Sequence, residues 1–381
     1  MVGAGKNVRS QPVSSAVARS KKCGLPATGG QEEQTFVIRP GPAHIALPVE
    51  DSYGHRINYL RISVTDRCNE RCSYCLPEED QAWAGRGELL SDDELVRMAA
   101  TGARLGITKL RITGGEPLTR PGVIQLIARL KACPGILQIG LSSNGTLLAR
   151  PHGSGTVAQG LKEAGVDALN LSLDSLDRDT YARTTRRDFL PLFLEGLRAA
   201  RDAGFDSIRL NCVLMRGTNE HELWDLAGFA RDQGCLIRFI ELMPVSSRQV
   251  LTEENFLSAG EARRLLEFRL GPLAPLPDFK TNGPASYFEV PATGQRIGFI
   301  GAMTNLHFCE SCNKLRLTAD GKLRPCLGSH LEFDFREALR DPATTPADLE
   351  CLFREVVARK PKEHEFRENY QPRRRMIAIG G

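Results

Sequence analysis

The chain has 381 residues, 41% hydrophobic and 25% charged, ordinary values for a globular protein of two or three domains. Fifty basic against 46 acidic side chains leave a net charge of +4, too small to indicate a nucleic-acid-binding protein, and no run approaches the ~18 apolar residues of a membrane span. The 36 Gly and 22 Pro follow no period, which excludes collagen-like and low-complexity chains.

Residues 1–48 predict an extension outside the fold. As far as Gln31 the segment holds five basic residues and no acid, is rich in Ser, Gly, Ala and Pro, and shows neither helical nor strand period. It reads as a disordered tail, as the product of a start codon set too far upstream, or as a basic, Ser-rich, acid-poor transit peptide. The expected location is the cytoplasm, or the mitochondrion if the segment is a transit peptide.

From Asn58 onward short β-branched runs alternate with helical patterns. Strands are predicted at Asn58–Val64, Lys109–Thr113, Ile136–Ser142, Ala168–Leu173, Ser207–Leu214 and Leu236–Leu242. One helix is predicted from Ser91-Asp-Asp-Glu94, which reads as a capping box, and others over Gly122–Ala132, Val157–Ala164, Leu190–Ala203 and Glu220–Asp232. Strict alternation predicts a parallel α/β architecture, either doubly wound or a barrel. The polar residues decide between them. The cysteine loop follows the first strand, Gly114-Gly115-Glu116-Pro117 the second, and Ser142-Ser143-Asn144-Gly145 ends the third. The fourth ends in Ser172-Leu173-Asp174, the fifth carries Arg209 and Asn211, and the sixth ends in Glu241-Leu242-Met243. Strand ends that collect such groups at one mouth belong to a TIM-like barrel. The predicted class is therefore α/β: an incomplete six-stranded (β/α) TIM-like barrel over residues 49–270, followed by a smaller α+β domain over 271–381. The second region has a Pro-rich lead-in (Gly271–Pro277), strand-like runs at Tyr287–Val290 and Gln295–Ile300, and a helix from Pro346 to about Lys360.

The 11 cysteines are odd in number and too few for a disulfide scaffold. Five are isolated (Cys23, Cys133, Cys212, Cys235, Cys351), and Cys212 and Cys235 read as small buried hydrophobes. The other six form two groups, which points to metal ligation. Cys68-Asn-Glu-Arg-Cys72-Ser-Tyr-Cys75 is a C-x3-C-x2-C loop, whose thiolates can hold three corners of a [4Fe–4S] cubane and leave the fourth iron open. The alternative, zinc, lacks a fourth ligand in the loop, the nearest being His55 beyond the strand. Cys309, Cys312 and Cys326 form C-x2-C-x13-C, readable as a second such cluster or, with His330, as a Cys3His zinc knuckle. Lys314, Arg316 and Arg324 lie near this group, and strands carry Arg61, Arg111, Arg209 and Arg238. Any single one reads as a solvated residue or an ion pair. Several facing one mouth predict a polyanionic substrate such as a triphosphate, because cations inside a barrel cost desolvation unless an anion joins them. The terminal Gly380-Gly381 is either a frayed end or a thread slim enough to enter a pocket closed to side chains.

The first cysteine loop resembles the signature of radical S-adenosylmethionine (SAM) enzymes, and Gly114–Pro117 continues the match. With FCESCNKLRLTADGKLRPCL at 308–327 and the Gly-Gly end, the chain from about Asp51 onward resembles the GTP 3′,8-cyclase family. That resemblance implies a radical SAM barrel, two [4Fe–4S] clusters and SAM as cofactors. Cys68, Cys72 and Cys75 would hold the first cluster, with SAM on its open iron. Tyr74, Gly115, Ser172 and Met243 match SAM-contacting positions, Tyr74 lying against the adenine and Gly115 beside the methionine moiety. Cys309, Cys312 and Cys326 would hold the second cluster and, through it, the guanine. Arg61, Arg111, Ser142, Arg209, Lys314, Leu315 and Arg316 match GTP-contacting positions, and Gly380 and Gly381 would help drive cyclisation. The implied lyase reaction cleaves SAM reductively to a 5′-deoxyadenosyl radical, abstracts the 3′ hydrogen of GTP, and lets the sugar radical attack C8 of guanine. Its product, (8S)-3′,8-cyclo-7,8-dihydroguanosine 5′-triphosphate, begins molybdenum cofactor biosynthesis.

The partners so implied are GTP, an electron donor, the cyclic pyranopterin monophosphate synthase that takes the product, and a second copy in a homodimer, with neither membrane nor nucleic acid. The chain departs from the family in having Lys314 for Arg, Arg209 for Lys, Glu70 at a usually apolar position, and a longer loop at Arg150–Thr156. Two other readings compete. One is a radical SAM peptide-modifying enzyme with an auxiliary cluster, which would carry more C-terminal cysteines and no Gly-Gly end. The other is a zinc-stabilised nucleic-acid-binding protein using Cys309–His330 as a knuckle and Arg373–Arg375 on phosphate.

Overall fold

The computed structural model describes residues 48–76, 83–85, 87–246, 250–281, 283–368 and 370–380; residues 1–47 of the predicted extension, and Gly381, lie outside the described residues. All six predicted barrel strands are present: β1 (Tyr59–Ser63), β2 (Lys109–Thr113), β3 (Gln138–Ser143), β4 (Ala168–Ser172), β5 (Ile208–Leu214) and β6 (Leu236–Glu241). Each pairs in parallel with the next in chain order. A sheet wound in one direction has no point of reversal, so it is not the doubly wound alternative, and every strand's C-terminal end comes to one rim. The architecture is a partial TIM-like barrel.

Strands from the last third of the chain extend both edges. β8 (Gln295–Ile300) runs parallel to β6 and carries its antiparallel partner β7 (Ser286–Val290) outside it. β9 (Lys314–Leu317) runs parallel to β1 and turns into antiparallel β10 (Lys322–Arg324). Backbone pairing thus joins the region after residue 270 to both sides of the barrel, and the described residues form one compact unit.

Among the described residues the helices are α1 (Asp92–Arg104), α2 (Val123–Lys131), α3 (Val157–Glu163), α4 (Arg178–Thr185), α5 (Leu190–Asp202), α6 (Leu223–Asp232), α7 (Ala259–Leu270), α8 (Pro346–Ala358), the single turn α9 (Met376–Ile379) and, before α8, the short helix Arg336–Arg340. The predicted capping box opens α1: Ser91 Oγ accepts the Glu94 amide at 3.2 Å and Glu94 Oε2 accepts the Ser91 amide at 2.7 Å. Four helices were not legible in the sequence: α4, α7, Arg336–Arg340 and α9. α4 reads RDTYARTT, with almost no apolar period, and is started by Asp177, whose carboxylate accepts the Thr180 amide. α7 is opened by a capping box of its own, Ser258 with Glu261. The longer loop at Arg150–Thr156 folds as a small hairpin, Pro151–His152 against Gly155–Thr156.

Strand alternation sorts the side chains into two layers. Leu60, Ile62, Leu110, Ile112, Leu169 and Leu171 join Leu95, Met98, Leu126 and Leu197 of the helices in one buried core. The alternate positions, which are largely polar, face the barrel interior.

Candidate active site

The cysteine loop leaves the end of β1 and is fixed by its neighbours. The Arg71 amide donates to Thr185 O and the Ser73 amide to Thr184 O, both at 2.9 Å, so the loop docks on the last turn of α4. Arg186, which closes that helix at φ 54°, donates Nη1 to Leu76 O at 3.0 Å. Ser246, past β6, donates to Cys75 O. The Gly-Gly segment after β2 lies directly against the loop's first turn. Gly115 N donates to Thr65 O and Glu116 N to Arg67 O, each at 2.8 Å. A Cβ on Gly115 would stand 2.4 Å from Arg67 O, and one on Gly114 2.6 Å from Thr65 O. The side chains omitted here would collide with the loop that carries the cysteines. Glu116, which the sequence reading quoted only as part of the motif, joins three strand ends: its carboxylate accepts Ser143 Oγ at 2.9 Å and the Asn144 amide at 2.7 Å. Burial pushes its carboxyl up to about 7 against those hydrogen bonds.

All three thiols are free, and burial pushes each up, Cys68 to about 12 with help from Glu116, Cys72 and Cys75 further. Without a cation the loop therefore holds neutral thiols, and taking up a metal group would release their protons. Tyr74 Oη donates to Asp174 Oδ2 at 2.6 Å, tying the loop to the end of β4. Ser172 lies on the inner face of that strand opposite Asn211 of β5. Met243, just past β6, packs with Val245 and Phe366. Glu70, the departure from the family, is buried and accepts Tyr181 Oη at 2.6 Å, and burial raises its carboxyl to about 7. His55, the nearest candidate for a zinc ligand, is committed to Asp51 Oδ2 at 2.8 Å.

The interior-facing row is cationic. Across the register Arg316 of β9 lies beside Arg61 of β1, which lies beside Arg111 of β2; Ser142, Asn170 and Arg209 line up across β3, β4 and β5. Arg111 donates Nε to Tyr59 Oη at 2.9 Å and Nη1 to Leu141 O at 3.1 Å, and Arg238 donates twice to Asn211 Oδ1. These partners are neutral oxygens, not carboxylates. Burial, then repulsion from Arg316 and Arg111, brings Arg61 down to about 9; burial brings Arg316 and Arg238 to about 10 and also lowers Arg209 and Lys314. Gly140 makes room for this row, since a Cβ there would stand 2.4 Å from the Arg111 guanidinium carbon and push that group aside. Asn170 was missed by the sequence reading although the ALNLS alternation puts it on the polar face; its buried Oδ1 has no hydrogen-bond partner among the described residues. Leu315 points the other way, fully buried in the helix-facing core, so only its backbone borders the interior. Such an interior suits a polyanion whose other end offers a hydrogen-bond donor.

Tyr59 records this field. Burial alone would raise its phenol, yet Arg111, Arg61 and Lys314 bring it down to about 8. Near-UV phenolate absorbance should therefore rise around pH 8 in the ligand-free protein and be lost in Tyr59→Phe. Because a bound polyanion neutralises the cations, it should move this titration upward, so binding takes up a proton and weakens as pH climbs past about 8. A protein with no phenolate signal below the ordinary tyrosine range contradicts the interior as described.

The hairpin β9–β10 assembles the second cysteine group: Cys309 and Cys312 precede it, the Cys312 amide donating to Cys309 O at 3.0 Å, and Cys326 follows it. Burial raises Cys309 and Cys326, whereas at Cys312 burial is outweighed by Lys360 and Lys314, which lower it. Lys360 is a buried cation, its Nζ donating to Pro325 O at 2.7 Å. His330, the proposed fourth ligand of a zinc knuckle, instead stacks on Tyr370, ring centroids 4.7 Å apart and planes 13° from parallel. The C-terminal segment returns to the barrel: Gly380, at φ 73°, accepts Arg316 Nη1 at 2.8 Å, and a Cβ there would lie 3.0 Å from Ser63 Cβ.

Among the described residues no three His, Cys, Asp or Glu side chains converge closely enough to hold a single metal ion. A cubane takes its thiolates on separate irons and requires no such convergence. Three neutral thiols on a braced loop, with no fourth Cys or His within it and Glu70 committed to Tyr181, fit a cluster with one open iron.

The chain matches the model of the Radical SAM superfamily over residues 62–230 and that of Molybdenum Cofactor Synthesis C over residues 235–366. The superfamily works with a [4Fe–4S] cluster and SAM. The chain is 42% identical over 333 residues to the GTP 3′,8-cyclase of Pelotomaculum thermopropionicum, spanning 87% of this chain and 100% of that one. It is 39% identical over 322 residues to Molybdenum cofactor biosynthesis protein 1 of Drosophila melanogaster, spanning 83% of this chain and 54% of that one. Among solved structures, Streptococcus suis SuiB bound to S-adenosylmethionine superposes with a TM-score of 0.53 at 14% identity, over 76% of this chain and 64% of that one, a likeness of fold alone. Barrel, cysteine loop and an identity of 42% across nearly all of the folded chain lead to one conclusion: the chain belongs to the GTP 3′,8-cyclase family of radical SAM enzymes.

Proposed function

We propose that this chain converts GTP to (8S)-3′,8-cyclo-7,8-dihydroguanosine 5′-triphosphate, the first step of molybdenum cofactor biosynthesis. The observation that carries the reading is the row of buried and half-buried cations inside the barrel, in which Arg111 and Arg238 are held by neutral oxygens; the cysteine loop sits on its rim side. In this reading Cys68, Cys72 and Cys75 hold a [4Fe–4S] cluster that, with SAM, supplies a 5′-deoxyadenosyl radical. Tyr74, Gly115, Ser172 and Met243 frame SAM, with Asp174 holding Tyr74 in place. Arg61, Arg111, Arg209, Lys314 and Arg316, with Ser142, take the triphosphate, and Leu315 contributes backbone only. Arg209 and Lys314 exchange a point charge and a fork relative to the family but keep the charge the phosphates need. Asn170 Oδ1 adds an acceptor for a donor group of the nucleotide.

Cys309, Cys312 and Cys326 hold a second [4Fe–4S] cluster against the guanine, with Lys360 supplying positive charge beside the thiolates. Gly380, and Gly381 beyond it, bring the tail against the substrate, and an interior closed over by the bound nucleotide and the tail would keep water from quenching the radical. Residues 49–270 then form the SAM-handling barrel and residues 271–381 the substrate-cluster region. An electron donor, a second copy of the chain and the synthase that consumes the product are the expected partners, in the cytoplasm; no helix among the described residues is long and apolar enough to cross a membrane.

The test is anaerobic turnover of the reconstituted protein with SAM, a reductant and GTP, followed by mass spectrometry. Deoxyadenosine together with cyclised nucleotide supports the reading. Deoxyadenosine with unchanged GTP removes the substrate assignment and brings peptides forward, and colourless protein without SAM cleavage removes the clusters.

A further inference from the structure

Arg374 has no task in the reaction just proposed, yet it is tightly engaged. Its Nη2 donates to both carboxylate oxygens of Asp320 at 2.9 Å, and its Nη1 donates to Glu332 Oε2 at 3.2 Å. The side chains of Arg374, Asp320 and Glu332 are 23%, 24% and 22% exposed, so the pairs are shielded beyond the surface average. Asp320 is further fixed by Thr318 Oγ1 at 2.6 Å, and Glu332 accepts from buried Arg324.

Asp320 sits in the turn between β9 and β10, the hairpin whose first strand carries Lys314 and Arg316 into the barrel. Arg316 in turn holds Gly380 O. One hairpin therefore grips the C-terminal segment twice, at its root through Asp320 and at its tip through Arg316. Between the two points lies the single turn Met376–Ile379, with Ile377 and Ile379 buried. A slip of one residue would bring Ile379 to where Gly380 now stands, and even a bare Cβ at that site meets Ser63 at 3.0 Å.

We propose that the Arg374–Asp320–Glu332 pairing is a root clamp that sets the register of the Gly-Gly tail in the barrel, making Arg374 and Asp320 positioning residues. The proposal rests on the reading that the tail takes part in cyclisation. Its test compares Arg374→Ala, Arg374→Lys and Asp320→Asn, an isosteric change that spares the turn, with a chain lacking residues 380–381, all full-length otherwise and reconstituted. Amide exchange of residues 376–380 is read by mass spectrometry beside kcat and KM for GTP. Arg374→Ala and Asp320→Asn should speed tail exchange roughly tenfold and lower kcat by a similar factor, while KM moves less than about twofold. Arg374→Lys, which keeps the charge, should recover a large part of both. Unchanged exchange and kcat in Arg374→Ala, with cyclisation abolished by the truncation, would overturn the clamp and leave the tail reading standing. Full cyclisation by the truncated chain would overturn both, since the clamp would have nothing to position.

Discussion

Replacing any one of Cys68, Cys72 and Cys75 by alanine is expected to abolish SAM cleavage, a loss of at least about 10⁴-fold, or about 5.5 kcal/mol of barrier. Replacing Cys312 is expected to leave deoxyadenosine formation in place and remove the cyclised nucleotide. The two groups differ in surroundings as well as in place. The first lies among carboxyl groups and under burial that keep its thiols neutral, so it depends wholly on a bound cluster to displace their protons and offset the thiolate charge. The second has Lys360 and Lys314 beside Cys312. Iron content and anaerobic assay of deoxyadenosine and cyclised GTP check both halves. Each group should account for about four irons. Deoxyadenosine from a Cys72→Ala protein would refute the assignment of the first group, and unimpaired cyclisation by Cys312→Ala would refute that of the second.

Gly115→Ala should be nearly as damaging, by a different route. The new methyl would lie 2.4 Å from Arg67 O and 2.7 Å from Arg67 C, both backbone atoms at the start of the cysteine loop. Neither can rotate away, so the loop must shift from Thr65 onward and break the hydrogen bonds from Gly115 and Glu116 that hold it. A loss of about 2–4 kcal/mol of stability is expected, along with first-group iron. Gly228→Ala is the control: nothing lies within 4 Å of its Cβ position inside α6, so it should be neutral or stabilising by about 0.5–1 kcal/mol. Denaturant melts with iron analysis read both, and an unperturbed Gly115→Ala protein would contradict the packing described.

Much of this was written locally in the sequence. The alternation in NYLRISV, KLRIT and ALNLSL marks strands whose observed ends coincide or differ by one residue, because period-two patterns are local properties. The cysteine spacings marked both groups for the same reason. What escaped depends on contacts between distant segments. α4 carries little apolar pattern and is recognisable only from what it supports, the cysteine loop on its final carbonyls. Gly140 looks like any strand glycine until Arg111 is seen lying across it. Lys360 sits 34 positions beyond Cys326 and reaches the second group only because the chain just past α8 returns to Lys314 and Pro325, whose carbonyls it holds. Leu315 is the opposite case. Alternation alone assigns it to the core face between Lys314 and Arg316, and only the run-together family stretch had grouped it with them.

The most direct test of the central claim uses GTP carrying deuterium at the ribose 3′ carbon in an anaerobic turnover with SAM and reductant. Deuterium recovered in 5′-deoxyadenosine, in step with cyclised nucleotide, is the predicted result. Deoxyadenosine that stays unlabelled while GTP is returned intact would contradict it, because the radical would then act on something other than this sugar.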